Sequence, residues 1–400
     1  MRSPLDGIRV LDMTIWQNGP WGTVMLSDMG ADVIKIEEPV SGDPGRNVGM
    51  MSPRPQAINA YFETMNRNKR SMTLNLKCPE GRQIFHEMAR KADAVTQNFR
   101  VGVVERLGVD YETVKKLNPK IVYASVSGLG DEGPDAHDPI FDILGQARGG
   151  FMWMNSIGDA DVTYRVAGGL ADQTGAIILA YGVMAGIVAR ERFGVGQHIQ
   201  VSQLGGQLML QAMALNSFLL NGVVPALKGR RAATNPLFSI YRCGDDKWIA
   251  LGCIQSDRYW PGLIEGLEAP ELLEDPRFVD HLARYESHAE LIEKLDAIFA
   301  TKTRDEWTAI LKLKGVVIGP VQSYDDLLND PQVLANNYFV DLEHPVHGSL
   351  KEVGVPIKMS ETPPYARRPA PEFGAHTEEI LQEFGYDWDQ IVGLRDKGVI

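Results

Sequence analysis

The first 37 residues alternate between strand and helix patterns, and few folds can accommodate that alternation. Residues 7–14 (GIRVLDMT) are rich in branched apolar side chains and predict a buried strand, and residues 31–37 (ADVIKIE) predict a second one. Between them, a turn at residues 17–20 (QNGP) leads into a helical pattern over residues 21–29, which Gly30 ends. Strand, helix and strand within about 30 residues make a βαβ unit, so we expect parallel strands joined by a right-handed crossover.

The same alternation continues through about the first 200 residues, with further strands predicted at residues 92–97 and 120–126 and a turn with a short strand at residues 194–202. It predicts a doubly wound, mostly parallel α/β domain over residues 1–224. A connector rich in basic residues follows at residues 225–234 (PALKGRRAAT). Beyond it, a hairpin pattern and three helical segments predict a smaller α+β domain over residues 225–330.

Charge, cysteines and hydropathy exclude several classes of protein. The net charge of the 400-residue chain is −12, which argues against a general nucleic-acid binder. Its three cysteines have no metal-type spacing and form no disulfide framework. Neither a signal peptide nor a run of about 18 apolar residues is evident, so we expect a cytoplasmic protein that does not contact a membrane.

One acidic residue stands out in residues 166–180 (VAGGLADQTGAIILA), where a glycine pair leads to Asp172 and then to an apolar helical pattern. An aspartate in the first turn of a helix is either a cap or a reactive group at the mouth of a site. The sequence contains no G-x-S-x-G, P-loop, H-E-x-x-H or paired-cysteine motif, and we predict no metal site. By elimination, Asp172 is the best candidate nucleophile.

A basic segment at residues 66–77 (NRNKRSMTLNLK) allows two interpretations. It is either a solvated turn, or it supplies phosphate contacts through Lys69, Arg70 and Lys77. The sequence alone leaves both open.

Eight colinear segments resemble the class III CoA-transferases, the family of formyl-CoA:oxalate and carnitine CoA-transferases. They are PLDGIRVLDMT at residues 4–14, GADVIKIE at 30–37, NRNKRS at 66–71, QNF at 97–99, NPKIVYASVSGLG at 118–130, GGLADQTGA at 168–176, RERFGVGQHIQVS at 190–202 and GAHTEEILQEFGY at 374–386. The resemblance extends over essentially the whole chain.

The resemblance implies an acyl-CoA:carboxylate CoA-transferase with Asp172 as nucleophile and Gln17 as a residue that holds the acyl intermediates. No cofactor would be tightly bound, because coenzyme A and acyl-CoA are substrates. It implies CoA contacts by residues of several turns, namely Gln17, Asn18, Leu74, Asn75, Lys77, Asn98, Phe99, Arg100, Arg106, Asp138 and Phe141. It also implies an interlocked homodimer in which a C-terminal segment, residues 331–400, returns to the large domain.

This chain departs from the family pattern at three places. Glu38 replaces an arginine that contacts CoA, and Val101 replaces a proline. A tetraglycine loop is also absent near Cys253, which argues against formyl-CoA:oxalate transfer in particular.

The same family includes α-methylacyl-CoA racemases, which use a histidine together with the aspartate. Phe141 occupies the position of that histidine, and a phenyl ring cannot transfer a proton. We therefore favour the transferase.

The acceptor acid is not specified by any motif. Six apolar residues are candidates for a pocket around the reacting carboxylate, although each is equally compatible with a place in the core. They are Trp16, Trp21, Met50, Met51, Trp153 and Met154. Our hypothesis is a medium-sized or partly apolar acid that receives CoA from a common donor such as succinyl-CoA or acetyl-CoA.

Overall fold

A computed structural model describes residues 2–51, 58–155, 164–223 and 233–400, with the side chains of residues 49–51 left out. These residues form two compact units. The sheet unit contains residues 2–51, 58–153, 164–223 and 336–400, and the small unit contains residues 154–155 and 233–335. The predicted connector at residues 225–234 lies almost entirely outside the described residues.

The sheet unit is built on six parallel strands in the order β3-β2-β1-β4-β5-β6. They are β1 (Arg9–Asp12), β2 (Asp32–Glu37), β3 (Arg70–Thr73), β4 (Ala94–Gln97), β5 (Val122–Ser127) and β6 (Gln197–Ser202). The predicted α/β fold is confirmed, and the main sheet is parallel throughout. Because the chain winds outward from β1 in one direction and from β4 in the other, the order reverses between these two strands, where open α/β sheets bind ligands.

Helices lie between and after these strands. They are α1 (Asn18–Asp28), α2 (Ala60–Asn66), α3 (Pro79–Lys91), α4 (Val103–Leu107), α5 (Tyr111–Leu117), α6 (Asp142–Arg148), α7 (Phe151–Met154), α8 (Leu170–Phe193), α9 (Gln203–Leu210) and α10 (Ala212–Asn221). A 3₁₀ helix covers Pro44–Met51.

Two differences from the sequence-based prediction concern helix ends. Helix α1 begins at Asn18, three residues earlier than predicted, because the first turn of a helix leaves its N–H groups unpaired and so tolerates Pro20. The single helix expected over residues 204–220 is divided at Gln211 into α9 and α10. There the Gln211 amide donates to the carbonyl oxygens of Gly149 and Gln207.

Apolar side chains cover both faces of the sheet. On one face, α1 and α8 pack against the strands, with Leu26, Leu179 and Val183 fully buried. By length and composition α8 is apolar enough to cross a membrane, but half of its most apolar window is buried in this structure. The other face carries α3 and α5, whose Phe85 and Val114 are fully buried.

The C-terminal part of the chain completes this second face. It contains the hairpin of β10 (Phe339–His344) and β11 (Gly348–Val353), and it ends in α18 (Thr377–Glu383) and α19 (Trp388–Asp396). Ile380 and Ile391 are fully buried in the same core as Phe85. The backbone N–H of Asn75 donates to the carbonyl of Val399, which fixes the end of the chain to the turn after β3.

The small unit has its own core and an antiparallel sheet in the order β7-β8-β9. Its strands are β7 (Ile240–Arg242), β8 (Trp248–Leu251) and β9 (Ile318–Pro320). Its helices are α11 (Ser256–Leu267), α12 (Glu271–Glu274), α13 (His281–Glu286), α14 (His288–Phe299), α15 (Arg304–Leu313), α16 (Tyr324–Asn329) and α17 (Pro331–Ala335). Fully buried Trp307 donates to the carbonyl of Phe299, so its indole N–H is satisfied inside the core.

Candidate active site

A cavity of about 350 Å³ opens at the carboxyl ends of β1, β4 and β5. It lies where the strand order reverses, as expected for an open α/β sheet. The proposed nucleophile and six of the predicted CoA contacts line it together, namely Asp172, Asn18, Asn98, Phe99, Arg100, Asp138 and Phe141. The fold therefore gathers residues that are up to 154 positions apart in the chain.

Asn98 joins the turns after β1 and β4. Its side-chain oxygen accepts from the N–H of Ile15 at 2.8 Å, and its amide donates to the carbonyl of Ile15 and to the side-chain oxygen of Asn18, both at 2.7 Å. A short amide with a donor and an acceptor can satisfy both turns at once. Its main effect is to set the spacing of the cavity walls.

The turn after β1 is held in an unusual conformation. Trp16 has a φ of 65°, in the left-handed region that costs energy for a side chain of this size. Its N–H donates to the carboxylate of Asp43 at 3.1 Å, and its ring meets Phe141 edge to face at 6.0 Å. These contacts direct the next residue, Gln17, toward the start of α8.

Gln17 lies against the glycine pair that precedes Asp172. Its amide is 3.5 Å from the carbonyl oxygen of Gly168, and a Cβ atom on Gly169 would overlap that amide. Gly168 and Gly169 have φ values of 88° and 77°, which side chains rarely adopt. The glycine pair thus allows both the turn and the close approach of Gln17.

Asp172 sits in the first turn of α8 but does not cap the helix. The cap residue is Gly169, and the N–H groups of Ala171 and Asp172 are accepted by one oxygen of Asp142, at 2.7 and 3.3 Å. Of the two interpretations of Asp172 that the sequence allowed, capping is therefore excluded, because the Asp142 carboxylate takes that role. The Asp172 side chain is left to face the cavity.

The pKa of Asp172 is raised to about 7, chiefly by burial and then by the neighbouring charge of Asp142. A hydrogen bond donated by Gln203 acts in the opposite direction. A helix amino terminus by itself favours the ionised form of a carboxylate, which would lower the pKa of Asp172. Here desolvation and like charge outweigh the helix dipole.

Two residues of the site were not predicted from the sequence. Tyr61 lines the cavity, and the pKa of its hydroxyl is raised by burial and by the charge of Asp172. Gln203 directly follows β6, so the strand-end rule alone could have identified it. Tyr61 lies in a short helix after a long loop, where no sequence motif marks it.

Five predicted CoA contacts do not line this cavity, namely Gln17, Leu74, Asn75, Lys77 and Arg106. The Leu74 side chain is fully buried in the core and its N–H donates to the carbonyl of Glu37, so neither is free to contact a ligand. Asn75 donates to the carbonyl of Gly398, whereas Lys77 and Arg106 are exposed cations. Lys77 approaches Glu38 at 3.9 Å.

Glu38 occupies the position of the family arginine, and its carboxylate accepts from the N–H groups of Val40 and Ser41. These hydrogen bonds stabilise the turn that Glu38 begins. Unlike the family arginine, Glu38 places a negative charge here, 3.9 Å from the amine of Lys77.

Lys69 and Arg70 are not available to bind phosphate. Lys69 is fully buried and lies 3.1 Å from Asp12, while Arg70 pairs with Asp32 and Glu383. The hypothesis of phosphate contacts is thus wrong for both residues, because neighbouring carboxylates already pair with their charges. Only Lys77 of that basic segment is exposed.

The six apolar candidates for an acyl pocket lie in different parts of the structure. Trp16 lines the cavity, whereas Trp21 packs under the guanidinium of Arg67 and Trp153 is 60% exposed. The side chains of Met50 and Met51 lie outside the described part of the chain, and Met154 belongs to the small unit. Near Asp172 the apolar wall is formed by Trp16, Val126, Ile140 and Phe141.

Among the described residues, no cluster of His, Cys, Asp and Glu could hold a metal ion.

The model of the CoA-transferase family III matches residues 5–377. The chain is 36% identical to an acetyl-CoA:oxalate CoA-transferase of Acetobacter aceti, over 96% of each chain. It is 31% identical to a mouse succinyl-CoA:glutarate CoA-transferase, over 99% of this chain and 90% of the relative. A CAIB/BAIF family protein from Brucella suis superposes with a TM-score of 0.86 at 28% identity, covering 96% of this chain and 100% of the other.

Proposed function

The chain belongs to CoA-transferase family III, and we propose that this CoA-transferase moves CoA from an acyl-CoA donor to a carboxylic acid through covalent intermediates on Asp172. The observation that carries the proposal is the position of the Asp172 carboxylate. It faces a cavity at the switch point of the sheet, and capping of α8 is left to Asp142. Its elevated pKa makes it more nucleophilic than an exposed aspartate would be.

In the proposed reaction, one Asp172 oxygen attacks the carbonyl carbon of the donor thioester. The carbon–sulfur bond breaks, which leaves an acyl-aspartyl anhydride and free CoA thiolate. A thiol pKa of about 8.5 makes this a good leaving group. The thiolate then attacks Cγ of Asp172 and expels the donor acid, giving an aspartyl-CoA thioester, and the acceptor carboxylate reverses both steps. No proton is transferred in any of these steps.

Several residues support these steps in distinct ways. The Gln17 amide lies against the Gly168–Gly169 turn that precedes Asp172, so this amide and the N–H groups of the turn are our candidate donors to developing oxyanions. Arg100 is the only basic residue among the described residues that line the cavity. We propose that Arg100, together with exposed Arg106 and Lys77, binds the phosphates of CoA.

A racemase mechanism lacks the second acid–base group. Phe141 presents a hydrocarbon ring to the cavity and meets Trp16 edge to face. Since no proton can move through that ring, we do not propose α-carbon racemisation for this chain.

For the acceptor, we propose a carboxylic acid with a partly apolar body. The wall next to Asp172 is formed by Trp16, Val126 and Phe141, which favours hydrocarbon groups. The named relatives act with oxalate and glutarate, so these acids belong in the test beside branched monocarboxylic acids.

The test is incubation of the protein with single acyl-CoA donors, followed by acid quench and mass spectrometry of the intact protein and its peptides. We expect an acyl or CoA adduct on the peptide that contains Asp172, and new acyl-CoA once a suitable acid is added. An adduct confined to another residue would contradict the mechanism. Incorporation of deuterium from heavy water at the α-carbon of a 2-methylacyl-CoA would instead favour the racemase.

The pH dependence of transfer should report the charge of Asp172. Attack requires the carboxylate form and its pKa is about 7, so kcat/KM should rise with pH through about 7 and fall below it. Asp142→Asn removes a like charge but keeps a side-chain oxygen for the N–H of Ala171. We expect this variant to shift the acidic limb to lower pH, because ionising Asp172 then costs less.

The matched control for this measurement is Asp131→Asn. Asp131 accepts a hydrogen bond from Gln200 and does not line the cavity. Its profile should coincide with that of the unmodified protein. An acidic limb that is unchanged in Asp142→Asn would show that Asp142 does not set the charge of the nucleophile.

We also propose that the protein forms a homodimer through the sheet unit. Large apolar side chains are exposed along α8, α9 and α10, in a density that solvated helices rarely show. They include Ile177, Tyr181, Met209, Met213, Leu219 and Leu220. Light scattering of the purified protein measures this directly.

A further inference from the structure

Gln203 is the first residue of α9, and the residue as a whole is 3% exposed. Its amide nitrogen donates to Oδ1 of Asp172. Across residues 2–51, 58–155, 164–223 and 233–400, no hydrogen bond reaches the other oxygen, Oδ2. The two oxygens of the proposed nucleophile are therefore not equivalent.

Packing confines the Gln203 amide to this place. Ser202 caps α9 by accepting from the N–H of Gly205, so Gln203 follows β6 without a flexible link. A Cβ atom on Gly206 would lie 3.1 Å from Thr174, which shows how closely α9 approaches α8. On the opposite side, a Cβ atom on Gly145 would lie 3.1 Å from the Gln203 side-chain oxygen.

This placement has an energetic cost. The Gln203 side-chain oxygen is buried and has no hydrogen-bond partner in the described part of the chain. Buried polar atoms are nearly always paired, and an unpaired one calls for an explanation. A buried amide that satisfies only its nitrogen, and satisfies it with the reacting carboxylate, indicates a role in the chemistry.

We propose that Gln203 is a catalytic donor that holds Oδ1 of Asp172 and stabilises the oxyanion that forms on it when Asp172 is itself attacked. The inference rests on the proposed function, in which Asp172 is acylated. Because Oδ1 is held, the unbonded Oδ2 is the atom that attacks the donor thioester.

The role of Gln203 differs between the steps. In the first step, the oxyanion forms on the acyl oxygen of the donor, and Oδ1 gains no charge beyond that of the carboxylate. In the second step, the CoA thiolate bonds to Cγ and the carbonyl electron pair moves to Oδ1, which Gln203 faces. The pair then returns, the Cγ–Oδ2 bond breaks, and the donor acid leaves with Oδ2. The attack of the acceptor carboxylate on the aspartyl-CoA thioester repeats this geometry, with sulfur as the leaving atom.

The test is Gln203→Leu, with adducts measured by rapid acid quench and intact-protein mass spectrometry after mixing with acyl-CoA alone. Loss of one oxyanion donor typically slows a step by about 10²- to 10³-fold. We expect formation of the acyl adduct to change by less than about threefold, and its conversion to the CoA adduct to slow by about 10²-fold. The trapped species should therefore shift from CoA-linked to acyl-linked protein.

Gln207→Leu is the matched control, because Gln207 lies one turn further along α9 and is fully buried. Its side-chain oxygen is also unpaired, but its amide donates to Thr174 and not to Asp172. We expect this variant to keep the adduct ratio of the unmodified protein. Gln203→Asn, which withdraws the donor by one methylene group with little loss of polarity, should reproduce the shift if the leucine variant folds poorly.

An unchanged adduct ratio in Gln203→Leu and Gln203→Asn would overturn the proposal, as would an equal slowing of both steps. Either result would leave the Asp172 mechanism intact as long as the unmodified protein forms its adduct on Asp172. Absence of any Asp172 adduct from the unmodified protein would instead refute the proposed function.

Discussion

Replacing Asp172 by asparagine should reduce CoA transfer by about four orders of magnitude or more, because the reaction then has no covalent route. The carboxamide has nearly the same shape as the carboxylate, so the contacts of α8 and the cavity walls should persist. Removing a charge whose pKa is raised by burial also relieves a desolvation cost. We therefore expect a stable protein that binds CoA but does not transfer it.

The measurement pairs steady-state transfer assays with calorimetric titration of CoA. Affinity for CoA should stay within about threefold, because the proposed phosphate ligands are Arg100, Arg106 and Lys77 rather than Asp172. Asp172→Ala should give the same loss of transfer, and Asp131→Asn should keep full activity. Substantial activity in both Asp172 variants would exclude the covalent mechanism.

Sequence patterns predicted the sheet well because its local signals agree with its tertiary structure. Strands β1 and β2 are short branched runs bounded by turns, and both are almost entirely buried. The glycine pair before Asp172 likewise carries a local signal, since only glycine readily adopts the two positive φ angles found there. Such features depend on neighbours in the chain.

Contacts between distant residues could not be predicted in this way. The sequence shows that Lys69 and Arg70 are basic, but not that Asp12 and Asp32 lie beside them in the fold. The same is true of Asp142, which caps a helix that begins 28 residues later. In each case a side chain is paired across strands or helices, and its charge changes what its neighbour can do.

The candidate site shows how this difference between local signals and long-range contacts bears on function. Asp172 was identified through its local segment, whereas the residues that set its charge and orientation are Asp142 and Gln203. Both reach it from other elements, so the proposed nucleophile could be predicted from the sequence but the groups that set its pKa could not. Burial and Asp142 raise that pKa, while the hydrogen bond from Gln203 lowers it, and the balance is a pKa of about 7.

Beneath the site, Lys69→Met should lower the free energy of unfolding by about 3–5 kcal/mol, the cost of leaving a buried charge without its partner. Lys69 and Asp12 are both fully buried, with their charged atoms 3.1 Å apart. Burial alone would raise the pKa of Asp12, but Lys69, Lys35 and the hydroxyls of Thr14 and Thr23 lower it to about 2. Urea denaturation followed by tryptophan fluorescence measures the change.

Lys351→Met is the matched control, because Lys351 pairs with Asp341 on the exposed hairpin β10–β11 and such pairs contribute little. Its denaturation midpoint should be unchanged. Adding Asp12→Asn to Lys69→Met should recover part of the lost stability, since the uncompensated charge is then gone and the hydroxyl of Thr23 can still bond the amide. If the double variant is no more stable than Lys69→Met, the loss comes from packing of the lysine stem and not from the buried charge. In that event, the turn that carries Gln17 does not depend on the buried ion pair for its stability.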